Sequence, residues 1–467
     1  MANERNVYND EELFQLAFGE QTHISRRCRE RIYNIKNNVP DMINFSLGFD
    51  ESNSFFSDLA WDLLGRYIAN NDYLLEIDLT GIDLTDEQMA ILFNSLVKSR
   101  SLIMVILNDN EIGMNGIRSM VPFLRNSTTI SKINLSGNRN IKTEGFEVLI
   151  NALDGGPIEG LNLDSCNIKD ISVLGSCTLS HLHELHLERN SLRNMGSISS
   201  LEQYTNLKQL HLEDNNIGRE GCIVIGNLLE KEGSSLHYLD LDQNNIDDEG
   251  AEILAASLKH NNSLTSLYLK GNNINEKGCL AFLKLLNDVS SIDSTYNSNH
   301  TVVEIMVPKF EPDYRNEISR HLQSATTMNE ESLNAGRTKV IICQLNSDRR
   351  KEQCRIQGVP YSYSSIFSDI DALVLPEVLA LVGQTHGQTE LYRMLIAVVP
   401  DLAFTVNREV VVQQQIAEKL AQVEALRAEI VELNKELTLI AEKKNDQSTN
   451  SSDSKKCGKK RGRSADP

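Results

Sequence analysis

Apolar residues recur along the middle of the chain at a nearly fixed spacing. Eight times between Leu74 and Ile274 the sequence follows L-x-x-L-x-L-x-x-N-x-I, and a weaker ninth copy begins at Val289. Clear copies are LKQLHLEDNNI at residues 207–217 and LTSLYLKGNNI at residues 264–274. Successive copies begin 28, 28, 28, 24, 25, 29, 28 and 25 residues apart. This period predicts stacked structural units, because one unit cannot bury its apolar face alone.

Each unit predicts a short strand followed by a helix. The alternating leucines of L-x-x-L-x-L point inward, so positions 3, 5 and 7 of the unit face outward. The segment that follows, such as residues 244–258 (NNIDDEGAEILAASL), changes to helical apolar spacing. A glycine six residues after the repeat asparagine predicts close approach of helix and strand. It recurs at Gly116, Gly196, Gly221, Gly250 and Gly278.

The repeat asparagines at position 9 predict a ladder whose side-chain amides satisfy the backbone groups of the turns. These asparagines are Asn110, Asn138, Asn190, Asn215, Asn244, Asn272 and Asn297. Cys166 takes that place in the fourth unit, and Cys222 and Cys279 share a later position that predicts a small core residue. The ladder is therefore interpreted as structural.

Such units resemble leucine-rich repeats, and the periods near 28 resemble the ribonuclease-inhibitor-like subtype. The resemblance implies an α/β fold, a leucine-rich repeat solenoid (horseshoe) with a helical C-terminal region and a short coiled-coil helix. The predicted domains are an N-terminal helical cap (1–73), the solenoid (74–300), a mixed or helical C-terminal unit (301–404), a coiled-coil helix (405–444) and a disordered basic tail (445–467). Within 301–404, residues 302–307 and 340–345 fit either a strand or a buried helix.

A heptad pattern covers residues 412–440, with mostly β-branched residues at a and leucine at d. This favours a parallel homodimer, and the alternative is a helix that packs on the preceding domain. The tail KKCGKKRGR resembles a nuclear-import signal, and the alternative is a solubilising or RNA-touching tail. Its basic residues are Lys455, Lys456, Lys459, Lys460, Arg461 and Arg463.

The net charge of −19 includes these six positive charges, so the remainder carries −25. An acidic body favours a basic protein partner and makes nucleic acid an unlikely one. No signal peptide and no membrane-length apolar run is visible, and eight cysteines without paired spacing suggest reduced thiols. A cytoplasmic or nuclear protein without a membrane partner is expected.

The outward positions of the later units are unusually acidic. Asp164, Glu188, Glu213 and Asp242 share position 7 on adjacent strands, about 4.8 Å apart. Their repulsion suggests a basic ligand, whereas the alternative is a solvated polar face. The predicted partner-binding residues are Asp164, Glu184, His186, Glu188, His211, Glu213, Tyr238, Asp240, Asp242, Tyr268 and Lys270.

Two histidines in this set, His186 and His211, share position 5 beside Glu188 and Glu213. These groups are ligand types for zinc, but chance juxtaposition on an open strand face is the favoured interpretation. No metal and no cofactor are therefore predicted. Catalytic signatures such as G-x-x-x-x-G-K-S/T, H-E-x-x-H and C-x-x-C are absent, which argues against an enzyme.

The leading functional hypothesis is a non-catalytic scaffold whose acidic concave face binds a basic protein partner. The alternative is regulation of a small GTPase, because the repeats also resemble those of Ran GTPase-activating protein. Arg139 and Asn140 form an insertion after Asn138, and Arg118 and Arg125 lie on a predicted helix, but none matches a specific motif. Ribonuclease inhibition ranks lower, because that family's many cysteines and longer array are missing.

Overall fold

In a computed structural model the chain forms two compact units. The structure describes residues 8–47, 56–192, 195–290, 294–295, 297–308, 315–331, 347–359 and 419. The first unit comprises Met1–Asp288 and Tyr296–Lys339, and the second comprises Val289–Thr295 and Val340–Pro467. The repeats lie in the first unit.

The first unit contains a ten-stranded sheet whose strands follow one another in chain order. Every neighbouring pair is parallel. The strands are β1 (Asn44–Ser46), β2 (Glu76–Asp78), β3 (Met104–Ile106), β4 (Lys132–Asn134), β5 (Gly160–Asn162), β6 (Glu184–His186), β7 (Gln209–His211), β8 (Tyr238–Asp240), β9 (Ser266–Tyr268) and β10 (Glu304–Met306). This open sheet with helical return segments is a leucine-rich repeat solenoid, as predicted.

Most of the return segments are α-helices, and three of these begin at a side-chain cap. Thr85 and Gln88 form a capping box at the helix Asp86–Leu96, Asp247 caps the helix Asp248–Ser257 by accepting from the Gly250 amide, and Ser57 caps the helix Asp58–Ala69. The helices are α1 (Asp10–Phe18), α2 (Arg26–Lys36), α3 (Asp58–Ala69), α4 (Asp86–Leu96), α5 (Met114–Asn126), α6 (Lys142–Leu153), α7 (Arg219–Glu230), α8 (Asp248–Ser257), α9 (Glu276–Leu286), α10 (Arg315–Glu331) and α11 (Ser347–Gln357).

The two shortest repeats return through 3-10 helices instead. These are Ser172–Ser176 and Met195–Gln203. The repeats concerned span 24 and 25 residues, and a 3-10 helix rises further per residue than an α-helix. Fewer residues therefore complete the return to the next strand.

The asparagine ladder predicted from the repeat is present. Asn215 donates from Nδ2 to the carbonyl oxygens of Leu187 (2.7 Å) and Glu213 (3.1 Å), and its Oδ1 accepts from the amides of Asn190 (3.2 Å) and Leu192 (3.4 Å). Cys166 replaces the asparagine with a thiol that donates to the Leu135 carbonyl over 3.2 Å. The ladder links each turn to the turn before it.

A residue in the left-handed backbone region follows position 7 in each of the eight repeat turns. Three of these residues are glycine and five are not, with φ of 53–56° at the five. They are Gly81, Asp109, Gly137, Ser165, Arg189, Asp214, Gln243 and Gly271. The turn conformation is thus retained even where the residue carries a side chain that disfavours it.

The recurrent glycines mark contacts between neighbouring helices and turns. A Cβ built on Gly278 would lie 2.9 Å from the Ala251 Cβ and 2.7 Å from Ile274 Cγ2. Close approach is confirmed, but the neighbours are the adjacent helix and the preceding turn and not a strand. Cys222 and Cys279 are buried in the core as predicted, and burial raises the pKa of each thiol to about 12.

The sheet extends beyond the range 74–300 predicted for the solenoid. β1 lies within the segment predicted as a helical cap, and β10 lies after residue 300. The ninth unit predicted at Val289 is wrong, because the strand that pairs with β9 is β10. Asn297 is an exposed turn residue, and Thr295, predicted to face outward, is fully buried. Asp293, which the same prediction placed at position 5 of this ninth unit, lies outside the described residues.

The described part of the second unit is small. It includes α11, where the Gln357 side chain accepts from the Val289 amide over 3.3 Å. The homodimer helix at 412–440, apart from Lys419, and the basic tail at 445–467 lie outside the described residues. Among the described helices, none combines the length and the hydropathy needed to cross a membrane.

Candidate functional site

The site lies on the surface formed by positions 3, 5 and 7 of the repeats. This surface is the face predicted above to be concave, and it is called here the outer face of the sheet. Strand register sets which residues become neighbours there. His186 pairs with His211, His211 with Asp240, and Asp240 with Tyr268. The parallel ladder therefore brings together residues separated by 25 to 29 positions in the sequence.

Four rings on β6–β9 form a continuous row, called here the ring row. Its members are His186, His211, Tyr238 and Tyr268. The two histidine rings stack with centroids 3.9 Å apart and planes 11° apart. Tyr238 follows at 4.7 Å from His211, and Tyr268 follows at 5.0 Å from Tyr238. The row moves from position 5 to position 3 at Tyr238 and returns to position 5 at Tyr268.

Each ring of the row bonds to a carboxylate. His186 Nε2 lies 2.8 Å from Glu184 Oε1, and His211 Nδ1 lies 3.2 Å from Glu188 Oε1. The Tyr238 hydroxyl donates to Asp240 over 3.3 Å, and the Tyr268 hydroxyl donates to Glu304 over 2.7 Å. The four carboxylates therefore fix the orientation of the rings.

Glu304 is a site residue that the sequence analysis missed. It lies on β10, which begins 38 residues after β9 and so departs from the repeat period. A local signal precedes it: Asn299 caps the approach to β10 by accepting from the amides of Thr301 and Val302. Asn71 and Asn261 make the same bonds before β2 and β9. The N-x-x-L/V pattern that precedes β2 and β9 would therefore have located β10.

The four carboxylates at position 7 form the predicted column, but two of them have bonds that folding alone explains. Asp164 Oδ1 accepts from the Glu188 amide over 2.7 Å, and Asp242 Oδ1 accepts from the Lys270 amide over 2.6 Å. Glu213 lies 3.8 Å from the exposed Arg189 guanidinium. A basic ligand is therefore not needed to explain why Asp164 and Asp242 are carboxylates.

Some of these carboxylates are nevertheless unfavourable as anions. Burial raises the pKa of Glu213, and the charges of Glu188 and Asp240 raise it further. Burial likewise raises the pKa of Asp242, with the Lys270 amide and charge opposing and Asp240 adding to the shift. Burial and the neighbouring Glu188 raise the pKa of Asp164. A cation placed here would stabilise the ionised forms.

Two glutamates beside the histidines behave in the opposite way. The bond from His211 lowers the pKa of Glu188. Burial works to raise the pKa of Glu184, but the bonds from His186 and Lys132 outweigh it, and the net shift is downward. The outer face thus holds two carboxylates with lowered pKa values, Glu184 and Glu188, which are bonded to the histidines. It also holds three carboxylates with raised pKa values, which are Asp164, Glu213 and Asp242.

Comparison with known proteins agrees with the repeat assignment. The Leucine Rich repeat family matches residues 204–226, 234–255 and 260–283. This is a leucine-rich repeat protein with ribonuclease-inhibitor-like repeats. The matched segments include three of the four rings in the ring row.

Curated relatives share the repeats over part of their length. Ribonuclease inhibitor of Sus scrofa is 27% identical over 223 residues, covering 48% of this chain and 44% of the relative. NACHT, LRR and PYD domains-containing protein 12 of Mus musculus is 26% identical, covering 48% and 19%. RAN GTPase-activating protein 2 of Arabidopsis thaliana is 27% identical, covering 30% and 22%. The chain spans less than half the length of each of these relatives.

Among solved structures, an internalin C2 from Listeria monocytogenes is 23% identical. The match covers 56% of this chain and 88% of that chain, with a TM-score of 0.32. A likeness at this level carries no functional argument.

Proposed function

We propose that the protein is a non-catalytic scaffold that binds a basic segment of a protein partner on the outer face of β5–β10. The observation that carries this proposal is the ring row with a carboxylate on every ring. Leucine-rich repeat domains in general bind proteins, and the binding role of this chain follows from that fold only by analogy. The side chains on the outer face give the analogy a specific chemistry.

The carboxylates of the ring row match the side chain of arginine. A guanidinium donates in a plane to carboxylate oxygens, and it is attracted to neighbouring aromatic rings. The ring row is pre-oriented by its own hydrogen bonds, so little side-chain entropy is lost on binding. Glu213 and Asp242, whose pKa values are raised, would gain from the positive charge. Lys270 at one end of the row would limit how far the basic segment extends.

Charge reversal tests the proposal. The double variant Glu188→Lys plus Glu213→Lys is expected to abolish capture of the main partner in affinity purification followed by mass spectrometry. The matched control is Glu147→Lys plus Glu230→Lys, two exposed helix residues whose reversal changes the net charge equally. Equal loss of capture in both variants would indicate a general charge effect, and unchanged capture in the first would move the binding site elsewhere.

Regulation of a small GTPase is the second proposal, supported by the similarity to RAN GTPase-activating protein 2. Arg139 and Asn140 are exposed in the turn after β4, and Arg118 and Arg125 are exposed on α5. An activator needs a positioned polar group at the transferred phosphoryl group. Purified chain added to Ran loaded with GTP should accelerate hydrolysis, and Arg139→Ala should remove the acceleration. No acceleration by the wild type would end this proposal.

Ribonuclease inhibition is the third proposal, supported only by the similarity to the inhibitor of Sus scrofa. Addition of the chain to a basic ribonuclease measures it directly. Unchanged RNA cleavage would reject it.

The basic tail supports a separate proposal about location. Residues 445–467 fused to a fluorescent reporter should carry it into the nucleus if Lys455–Arg463 form an import signal. A purely cytoplasmic reporter would count against import. The homodimer through residues 412–440 likewise stays a prediction, and light scattering of the full chain measures it.

A further inference from the structure

Two histidines and one glutamate on the outer face have donor atoms within reach of a single ion. His186, Glu188 and His211 each offer one ligand atom, and these atoms lie within 4.8 Å of one another. Adjacent strands hold them in register, because His186 pairs with His211 in the β6–β7 ladder. Two ligands of a tetrahedral zinc ion stand about 3.3 Å apart. The Glu188 Oε1–His211 Nδ1 separation of 3.2 Å already has that value.

The His186 ring needs only a rotation to join them. It stacks on His211 with centroids 3.9 Å apart and planes 11° apart, so one ring must rotate before both rings can direct a nitrogen lone pair at the same ion. Rotation about the terminal torsion of a histidine side chain is soft, because that torsion has a broad minimum. The strands themselves need not move.

Glu184 supplies the second group that metal-binding histidines require. Its Oε1 lies 2.8 Å from His186 Nε2. A carboxylate on one ring nitrogen holds the proton there and leaves Nδ1 as a lone-pair donor. Such a partner also makes the ring a stronger ligand.

The largely buried His211 side chain lacks a hydrogen bond at one of its two ring nitrogens. Its side chain is 14% exposed, and Nε2 is buried without a hydrogen-bond partner. A buried polar atom without a partner is uncommon in proteins and calls for an explanation. The ring can also reorient toward an ion without breaking a bond at Nε2.

We propose that His186, Glu188 and His211 form a site for a divalent metal ion of the zinc class on the outer face of the sheet. Two imidazoles and one carboxylate suit zinc better than magnesium or calcium, which take mainly oxygen ligands. Three protein ligands leave a fourth position open, which water or a partner side chain fills. The metal site shares His186, Glu188 and His211 with the surface proposed for the basic partner, but it does not require that partner.

The test uses the full chain, stripped of metal and titrated with zinc chloride in a calorimeter. One zinc per chain and a higher unfolding temperature with zinc are expected. His186→Asn and His211→Asn should each weaken binding at least ~10-fold, and Glu184→Gln about 10-fold. Asparagine is tolerated at position 5, because Asn134 and Asn162 occupy that position in β4 and β5. Their side chains accept hydrogen bonds from the backbone amides of Ser136 and Asp164. The variants should therefore unfold at the wild-type temperature without zinc.

Exposed histidines outside the site supply the control. His181→Asn and His260→Asn should leave zinc binding unchanged. Cobalt substitution separates the site from the cysteines, because thiolate ligands add an intense charge-transfer band that this site lacks.

Three outcomes with zinc or cobalt would overturn the proposal. They are the absence of zinc binding, equal zinc binding in the His186→Asn/His211→Asn double variant, and a cobalt spectrum dominated by thiolate. Equally tight calcium binding that survives the double variant would also overturn it and assign the ion to the neighbouring carboxylates Glu188, Glu213 and Asp240.

Discussion

The two halves of the sheet share a backbone but differ on the outer face. On β2–β4 position 7 is neutral, with Thr80, Asn108 and Ser136, and Thr80 bonds to Asn108 over 2.9 Å. On β5–β8 position 7 is acidic throughout, and the ring row follows from β6 to β9. Both halves use the same parallel pairing and the same ladder, so one type of backbone carries two different sets of side chains on the outer face. The contrast identifies the second half as the part to which the binding proposal applies.

The ladder should matter equally in both halves, and it gives the largest expected effect. Asn215→Ala and Asn138→Ala each leave buried backbone groups without partners, so each should lower the free energy of unfolding by about 3 kcal/mol. Urea denaturation measures both. Asn215→Cys should cost less, because Cys166 shows that a thiol keeps one of the bonds. A large loss in only one half would break the equivalence of the two backbones.

The outer face should distinguish the halves at position 3. Tyr238→Ala removes the centre of the ring row and should weaken binding of an arginine-rich peptide by about 2 kcal/mol, the typical contribution of an aromatic hot spot. Met104→Ala, at the same position of β3, should leave binding unchanged. Fluorescence anisotropy with the labelled peptide measures both. Similar losses in the two variants would show that binding is not confined to the second half.

The smallest effect concerns the charge at position 7. Asp242→Asn keeps an oxygen that can accept from the Lys270 amide. Asparagine already occurs at position 7 in the first half, at Asn108. The pKa of Asp242 is raised in the folded state, so the folded protein binds the proton more tightly and ionisation destabilises it. The variant should therefore be more stable than the wild type at pH 7, by less than about 1 kcal/mol.

That advantage should disappear as the pH falls through the raised pKa of Asp242 toward the ordinary aspartate value, because the protonated side chain is then as neutral as asparagine. Thermal unfolding at several pH values measures the difference. A variant less stable than the wild type at pH 7 would mean that Asp242 contributes to folding as an anion.

Sequence periodicity predicted the parts of the molecule that repeat. The strands at β2–β9, the ladder asparagines from Asn110 to Asn272 and the outward residues of these strands all follow from one spacing. β1 and β10 escaped because their neighbours depart from the period: β10 begins 38 residues after β9. The hydrogen bonds of Asn299 mark the approach to β10, and a search for the leucine spacing alone does not detect them.

The ring row was only half visible in the sequence. The paired histidines were predicted to be neighbours, whereas Tyr238 was expected merely to flank the acidic column. Its contact with His211 depends on side-chain torsions that carry the ring across from position 3 to the line of position 5. Torsions respond to hydrogen bonds such as that of Tyr238 with Asp240, and no spacing rule contains them.

The left-handed residues after position 7 are positions at which substitution could increase the stability of the protein. Five of them are not glycine, and each holds a conformation that disfavours a side chain by ~1–2 kcal/mol. Glycine would remove that strain but add ~0.5–1 kcal/mol of chain entropy lost on folding, which leaves a net gain between zero and about 1.5 kcal/mol at each turn. Asp109→Gly and similar replacements touch no ring of the row. A library that varies the outer face can therefore start from a chain stabilised at its turns, which leaves more stability to offset destabilising changes on that face.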